Sequence, residues 1–225
     1  MVLAVSIQAA GEDPAEPAVK LETEMDKVSY VLGSRVGEGF KQGGVEINLE
    51  LFMQGIKDVL AEREPALSAD EGQQVMAEFQ KSMMARQQEM LRKEAEANLA
   101  EGTAFLDENK TKPGVVVLPS GLQYKVLEEG TGRMPTATER VKVHYRGTFV
   151  NGEEFDSSYK RNEPVEFQVG GVIPGWTEAL QLMKEGAKWQ LFIPANLAYG
   201  ERGRPPRMPP NSTLLFEVEL IEVLQ

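Results

Sequence analysis

A glycine-rich break between a predicted strand and a predicted helix is the segment of this sequence best suited to binding a ligand. Residues 170–176 read GGVIPGW and follow a strand-like run that ends at Val169. Two adjacent glycines let the main chain approach a ligand closely, and such a turn leaves the Ile173 N–H and the first helical N–H groups without partners in the chain. Trp176, near which the short helix is predicted to begin, offers a large apolar surface beside those donors.

Apolar and aromatic residues spread over the second half of the chain could complete a pocket around this break, joined by one carboxylate, Asp156. The sequence shows no nucleophile paired with a base, no carboxylate pair placed for hydrolysis and no phosphate-binding loop. Core packing would explain many of these residues singly, but it explains less well why Trp176 and Tyr199 lie at loop margins. We interpret the set as an aromatic-lined binding pocket. Its apolar members are Tyr145, Phe155, Val165, Phe167, Val172, Ile173, Trp176, Tyr199 and Phe216.

The amino-acid composition argues against several classes of function. The formal charge of −11 argues against a nucleic-acid partner, because nucleic-acid binding needs a basic face. The absence of cysteine excludes disulfides and thiolate chemistry. The single histidine, His144, argues against a metal site, and its place on the polar face of an alternating strand predicts a solvated side chain. We expect neither a metal nor a cofactor.

The first 66 residues predict an unstructured start followed by two amphipathic helices. Residues 11–24 are rich in proline and acidic residues and look unstructured; the first ten fit either the tail of a secretory signal or a plain disordered start. From Met25 apolar residues recur at helical spacing up to Gly43-Gly44, and a second helix is predicted from an N-cap at Asn48 to a stop before Pro65. Two such helices cannot bury their apolar faces alone, and a second copy of the chain is the simplest partner.

Residues 67–112 predict one long helix. Ser68 and Glu71 have the form of a capping box, and about 40 residues without proline would span roughly 60 Å. We expect this helix to be packed at its N-terminal end, where Val75, Met76 and Phe79 have core spacing, and solvated in the middle. Its methionines fit ordinary packing, which we favour, or an adaptable binding surface.

From residue 113 the hydrophobic period changes from 3.6 to 2, which predicts strands and an α+β fold. Val141, Val143 and Tyr145 share the apolar face of one strand, and Asn151-Gly152 predicts a hairpin turn. Residues 194–211 form a long loop rich in proline and arginine. Loops of this length inside a compact domain are usually functional.

Five motifs stand out in this second half: Val143–Gly147 (VHYRG), Gly152–Ser158 (GEEFDSS), Val172–Trp176 (VIPGW), Leu197–Gly200 (LAYG) and Leu214–Leu220 (LLFEVEL). They closely resemble those of FKBP-type peptidyl-prolyl cis–trans isomerases, with matching spacing over about residues 115–224. The helical half, with its SYVLG segment at residues 29–33, resembles the N-terminal dimerisation module of the bacterial Mip-like (macrophage infectivity potentiator) branch.

The resemblance implies a fold and a division into domains. It implies an antiparallel half-barrel sheet wrapped on a short helix, carried on each arm of a V-shaped homodimer. The expected parts are a disordered N-terminus at 1–24, a helical dimerisation module at 25–66, a connecting helix at 67–112 and an isomerase domain at 113–225.

The resemblance also implies roles for individual residues. Trp176 would form the floor under the prolyl ring, the Ile173 N–H and the Tyr199 hydroxyl would hold substrate carbonyls, and Asp156 would orient polar groups at the edge. The implied walls are Tyr145, Phe155, Val172, Ile173 and Phe216, and further substrate-binding residues are Val165, Phe167, Arg204, Arg207 and Met208.

The implied activity is peptidyl-prolyl cis–trans isomerisation of unfolded or partly folded proteins, with chaperone activity from the dimer and with tacrolimus and rapamycin as inhibitors. The alternative is a client-holding chaperone in which isomerisation is secondary; a purely structural dimer fits the retained pocket residues poorly. The implied location is the periplasm or cell envelope of a bacterium, with the cytoplasm as the alternative. Arg204 and Arg207 depart from the apolar or histidine residues common in relatives, and they form either a solvated rim or a selector for acidic residues flanking proline.

Overall fold

The computed structural model of the chain describes residues 19–224, so the signal-like start and most of the expected disordered segment lie outside the described residues. The chain divides between Gln73 and Gln74 into two compact units. This division falls inside the long helix. None of the helices in residues 19–224 is long and apolar enough to cross a membrane.

The first unit contains two capped helices, α1 (Glu24–Gln42) and α2 (Leu49–Leu60). Thr23 caps α1 through a reciprocal capping box with Asp26, which the sequence analysis did not predict. Asn48 caps α2 as predicted, by accepting the Leu51 N–H at 3.1 Å. The rings of Phe40 and Phe52 meet edge to face, with centroids 5.4 Å apart, and join the two helices. Within residues 19–224, no residue of either helix is buried, so apart from this contact their apolar faces are largely exposed.

The long helix α3 (Ala69–Asn109) runs over 41 residues, and Ser68 and Glu71 form the predicted capping box at its start. The expectation that its N-terminal end is packed is wrong for the single chain, because Val75 and Met76 are each 54% exposed. The buried residues of α3 are Gly102 and Asn109, near its C-terminal end. Gly102 has no side chain, and this lets the helix approach Thr213 closely.

The second unit is built on a seven-stranded antiparallel sheet with one short helix, α4 (Pro174–Leu180). The path of neighbouring strands is β1-β2-β6-β7-β3-β4, and β5 pairs with β3. The predicted α+β fold with a half-barrel sheet is therefore correct. The strands are β1 (Val115–Val117), β2 (Gln123–Glu128), β3 (Arg140–Phe149), β4 (Glu154–Ser157), β5 (Val165–Gln168), β6 (Lys188–Ile193) and β7 (Leu214–Leu224).

The core of this unit lies between the sheet and α4. Alternate residues of β3 and β7 point to the core, and α4 buries Trp176, Ala179 and Leu180 against them. A Cβ at Gly175 would lie 2.5 Å from Cγ2 of Ile193, so only glycine allows the start of α4 to pack this closely on β6. The helix begins at Pro174 rather than near Trp176, because proline is well suited to a first helical position.

His144 lies on the face of β3 opposite Tyr145, as predicted, but it is not a fully solvated side chain. Its Nδ1 atom lies 2.9 Å from the Ser158 hydroxyl oxygen, and its ring stacks on Tyr159 with centroids 4.7 Å apart. The alternation therefore predicts the side of the sheet correctly and misses the neighbouring turn that half-buries the ring.

The C-terminal half of α3 belongs to the second unit and braces the loop that precedes β7. Asn98 Nδ2 donates to the Pro210 carbonyl at 2.8 Å, and Asn211 Nδ2 donates to the Ala95 carbonyl at 3.2 Å. The buried Asn109 donates to the side-chain carbonyl of Gln123 at 2.9 Å. These hydrogen bonds make the end of the helix part of the sheet domain.

Replacing Gly102 with alanine tests this close packing. A Cβ at Gly102 would lie 2.1 Å from Oγ1 and 2.9 Å from Cβ of the buried Thr213, so the helix must move away. Overpacking of this kind lowers the free energy of unfolding by about 1–3 kcal/mol, so we expect the melting temperature of the second unit to fall by several degrees.

Gly72→Ala is the matched control in the same helix, because nothing lies within 4 Å of a Cβ there. Its melting temperature should be unchanged or slightly higher, since alanine has the better helix propensity. Equal melting temperatures for the two variants would contradict close packing at Gly102.

Candidate active site

A cavity of about 780 Å³ opens between the sheet, α4 and the loop that follows β6. Twelve of the thirteen residues predicted for the site line it, and Val165 does not. Val165 packs against the core from β5, where it pairs with Val143. The cavity-lining residues are Tyr145, Phe155, Asp156, Phe167, Gly171, Val172, Ile173, Trp176, Tyr199, Arg204, Pro205, Pro206, Arg207, Met208 and Phe216.

The indole ring of Trp176 forms the floor of the cavity and is 3% exposed. Three aromatic rings from different strands meet it edge to face or nearly so: Tyr145 at 5.4 Å, Phe167 at 5.7 Å and Phe216 at 5.2 Å between centroids. Edge-to-face contacts are a favoured arrangement of aromatic pairs, so each neighbour restricts the orientation of the indole. The floor is therefore aromatic and restricted in orientation, and the buried indole N–H of Trp176 has no hydrogen-bond partner among residues 19–224.

Another part of the cavity lining depends on Gly147 in β3. Phe155 and Phe216 pack edge to face with centroids 5.5 Å apart. A Cβ at Gly147 would lie 2.6 Å from the Phe155 ring and 2.8 Å from the Phe216 ring. Both rings can therefore lie over the strand only because residue 147 has no side chain.

The main chain at the glycine break leaves the Ile173 amide available to a ligand. The N–H groups of Val169 and Gly170 donate to the carbonyls of Glu139 and Ala137, each at 2.9 Å, and this fixes the turn before α4. The Ile173 carbonyl accepts from the Trp176 N–H. Within residues 19–224 no group accepts a hydrogen bond from the Ile173 N–H, which belongs to a cavity-lining residue.

Tyr199 supplies a second available donor on the other side of the cavity. It lies directly before the 3₁₀ turn Gly200–Arg202. Among the described residues, the tyrosine hydroxyls that form hydrogen bonds are those of Tyr145 and Tyr159. The Tyr199 hydroxyl thus remains available to a ligand.

Asp156 is held in a compact polar network at the cavity edge. Its carboxylate accepts the Tyr145 hydroxyl at 2.5 Å, an Arg161 N–H at 2.6 Å and the Ser157 N–H at 2.8 Å. Partial burial raises the pKa of the Asp156 carboxyl, but the hydrogen bonds from Tyr145 and Arg161 outweigh it and hold the pKa below its ordinary value. Burial, together with the bond to Asp156, raises the pKa of the Tyr145 hydroxyl.

Sequence reasoning missed Arg161. It lies on a 3₁₀ turn, Tyr159–Arg161, where no hydrophobic period indicates which way a side chain points. The Arg161 guanidinium donates to both the Asp156 carboxylate and, at 3.1 Å, the Tyr145 hydroxyl, and so links the two. The available signal was a basic residue shortly after the strand that carries Asp156.

Across the described part of the chain, no group of three histidine, aspartate or glutamate side chains is placed to hold a metal ion. The cavity offers an aromatic floor, the Ile173 N–H and the Tyr199 hydroxyl without partners in the described part of the chain, two exposed arginines in its lining and a carboxylate already bound by its neighbours.

Replacing Arg161 with glutamine tests the electrostatics of this network. The variant removes a hydrogen bond and a positive charge that stabilise the ionised carboxylate, so we expect the pKa of Asp156 to rise. The measurement is a pH titration of the Asp156 carboxyl by NMR in both proteins. Arg140→Gln is the control, because Arg140 pairs with Glu166 instead. An Asp156 titration unchanged by Arg161→Gln would contradict the network.

Two family models match the chain, one for each half. The model described as FKBP-type peptidyl-prolyl cis-trans isomerase matches residues 131–221. The model described as the domain amino terminal to FKBP-type peptidyl-prolyl isomerase matches residues 25–126.

Individual relatives match nearly the whole chain. The protein described as outer membrane protein MIP from Legionella longbeachae is 45% identical over 99% of this chain and 94% of its own length. The FKBP-type 22 kDa peptidyl-prolyl cis-trans isomerase of Escherichia coli strain K12 is 46% identical over 88% of this chain and 95% of its own length.

A solved structure agrees with these matches. The crystal structure of FkpA from Escherichia coli is 36% identical, covers 91% of this chain and 99% of its own, and superimposes with a TM-score of 0.76. Since both family models and these relatives together cover the helical and the sheet parts, the chain belongs to the FKBP-type peptidyl-prolyl cis–trans isomerases, in the Mip-like branch.

Proposed function

We propose that this enzyme accelerates X-Pro isomerisation by binding the twisted amide in the apolar cavity. Rotation about the peptide bond has a barrier of about 18–20 kcal/mol, because the planar amide loses its resonance at the transition state. With that loss the dipole of the carbonyl weakens, so an apolar and largely dry site disfavours the planar ground state more than the twisted one.

The observation that supports this proposal is that the unpartnered Ile173 N–H and Tyr199 hydroxyl belong to residues lining the same cavity as the indole of Trp176. The prolyl ring would lie on Trp176, whose indole is buried by three aromatic neighbours. The Ile173 N–H and the Tyr199 hydroxyl would hold carbonyl groups of the substrate on either side of the ring. The role proposed for Asp156 is to keep Tyr145 and Arg161 oriented at the edge.

The preferential stabilisation of the transition state that this mechanism requires is modest for such a site. A rate gain of about 10⁶ needs roughly 8 kcal/mol of preferential transition-state stabilisation. Two hydrogen bonds that strengthen in the twisted state, together with desolvation of the amide, are effects of the right order, and no covalent step is needed.

A proline-isomerisation assay on a short X-Pro peptide tests this directly. We expect rapamycin-sensitive catalysis by the intact chain and a loss in kcat/KM of roughly tenfold or more in the Tyr199→Phe, Asp156→Ala double variant, since two hydrogen-bonding groups are removed. The double variant Tyr124→Phe, Asp107→Ala is the control, because neither residue lines the cavity. A folded wild-type protein without catalysis would leave only the chaperone alternative.

The first unit is proposed to be a dimerisation module. Residues 25–66 would form the module, 67–112 the connecting helix and 113–225 the isomerase domain. Val28, Val31, Leu32 and Val36 of α1 are all exposed within the single chain. A contiguous apolar stripe of this kind is unusual on a soluble monomer, and a twofold interface would cover it with the same stripe of a second copy.

The solution mass tests the dimer. The chain of 24.9 kDa should elute at twice that mass, and a fragment of residues 74–225, which forms a compact unit, should be monomeric while retaining turnover of a short peptide. The full-length Val31→Glu, Leu32→Glu variant should also become monomeric. Glu50→Gln, at an exposed polar position of α2, should remain dimeric. A monomeric wild-type chain at micromolar concentration would contradict the proposal.

A client-holding chaperone remains the second candidate, favoured by exposed methionines on α3. Met76, Met84 and Met90 are all more than half exposed, and methionine surfaces adapt to varied apolar partners. A location in the cell envelope is proposed from the relative named outer membrane protein MIP. Aggregation suppression by the full chain, but not by residues 74–225, would support a chaperone role that depends on the dimer.

A further inference from the structure

We propose that Arg204 and Arg207, here called the basic rim, form an anion-binding site that selects X-Pro segments carrying an acidic side chain next to the proline. This inference rests on the proposed isomerase function of the same cavity and names its preferred substrate class. Both arginines line the mouth of the cavity, and both are exposed to solvent.

The first argument is that the loop arginines have no carboxylate partner. Every other arginine of the sheet domain forms an ion pair: Arg133 with Glu139, Arg140 with Glu166, Arg146 with Glu154 and Arg161 with Asp156. Within residues 19–224, the loop arginines Arg202, Arg204 and Arg207 form none. In a sheet domain whose other arginines are all paired, three unpaired guanidinium groups therefore gather in one loop.

The second argument is that the backbone of the basic rim is fixed. The Arg204 N–H donates to the Met208 carbonyl at 2.8 Å, and the Met208 N–H donates back to the Arg204 carbonyl at 3.1 Å. Gly203 has a φ of +60°, and a Cβ there would meet the Met208 carbonyl oxygen. Because Met208 is buried, the turn is anchored, and binding an anion need not order the loop first.

The third argument is the sign of the charge at the cavity mouth. Apart from the basic rim, the charged group that lines the cavity is Asp156, and its charge is compensated by Arg161. Residues 199–211 contain three arginines and one glutamate, a net charge of 3 − 1 = +2. The mouth therefore attracts a carboxylate and repels a basic side chain.

The fourth argument decides where the acidic group lies. The floor of the cavity is aromatic and buried, so a carboxylate placed there would lose its hydration without a partner. At the rim, a guanidinium can bind both carboxylate oxygens while they stay partly hydrated. The acidic residue thus flanks the proline and does not replace it.

The test compares peptides that differ at a single residue beside the proline. Short peptides with Glu, Gln or Lys directly before proline, and a second series with the same residues directly after it, are assayed for kcat/KM at low salt. From two exposed ion pairs we expect kcat/KM for the Glu peptide to exceed that for the Gln peptide roughly two- to tenfold in at least one series; this quotient is the Glu-to-Gln ratio. The Lys peptide should have the lowest kcat/KM. In 1 M NaCl, where the Debye length is about 3 Å, the ratio should fall towards one.

Variants then assign the preference to the basic rim. The Arg204→Gln, Arg207→Gln double variant should abolish the Glu-to-Gln ratio. Arg202→Gln is the matched control: it removes the same charge from the same loop, but Arg202 does not line the cavity, so the ratio should persist.

Three outcomes would overturn the inference: equal turnover of Glu and Gln peptides at low salt in both series, a preference that survives the double variant, or its loss in Arg202→Gln to the same extent. Each leaves the isomerase proposal intact, because the neutral peptide is still turned over. Failure of that proposal would instead appear as no catalysis on any peptide.

Discussion

The burial of Trp176 at the start of α4 is the constraint on which the rest of the site depends. Its indole can lie under the cavity only because Gly175 lets α4 pack closely on Ile193 of β6. The surrounding rings come from β3, β5 and β7, so the curvature of the sheet and the position of the floor are set together. Catalysis by an apolar environment needs such a rigid floor, since a mobile one would admit water.

The polar groups divide into those satisfied by the protein and those left for a ligand. At the cavity edge, hydrogen bonds join Asp156, Tyr145 and Arg161 to one another. The Ile173 N–H and the Tyr199 hydroxyl belong to residues that line the same cavity, and they have no partners among the described residues. This division suits a site that holds an amide by a few directed bonds and otherwise by apolar contact.

Local patterns in the sequence predicted much of this arrangement. Capping residues located the starts of α2 and α3, and alternation predicted the strand faces. Twelve of the thirteen residues predicted for the site line the cavity, and eight of these lie within the five motifs. Contacts between distant segments were not predictable. Arg161 lies on a turn with no period, Val165 packs away from the cavity, and the packing of α3 is set by Gly102 against Thr213, which no pattern around either residue indicates.

The most direct test is exchange NMR on a proline peptide with the protein at catalytic concentration, while the amide signal of Ile173 is followed. The account predicts cis–trans exchange cross peaks within about a second, whereas the uncatalysed process takes tens to hundreds of seconds. It also predicts a shift of the Ile173 amide, with both effects removed by rapamycin. Binding that shifts the Ile173 amide while exchange stays at the uncatalysed rate would show that the cavity binds proline segments without isomerising them.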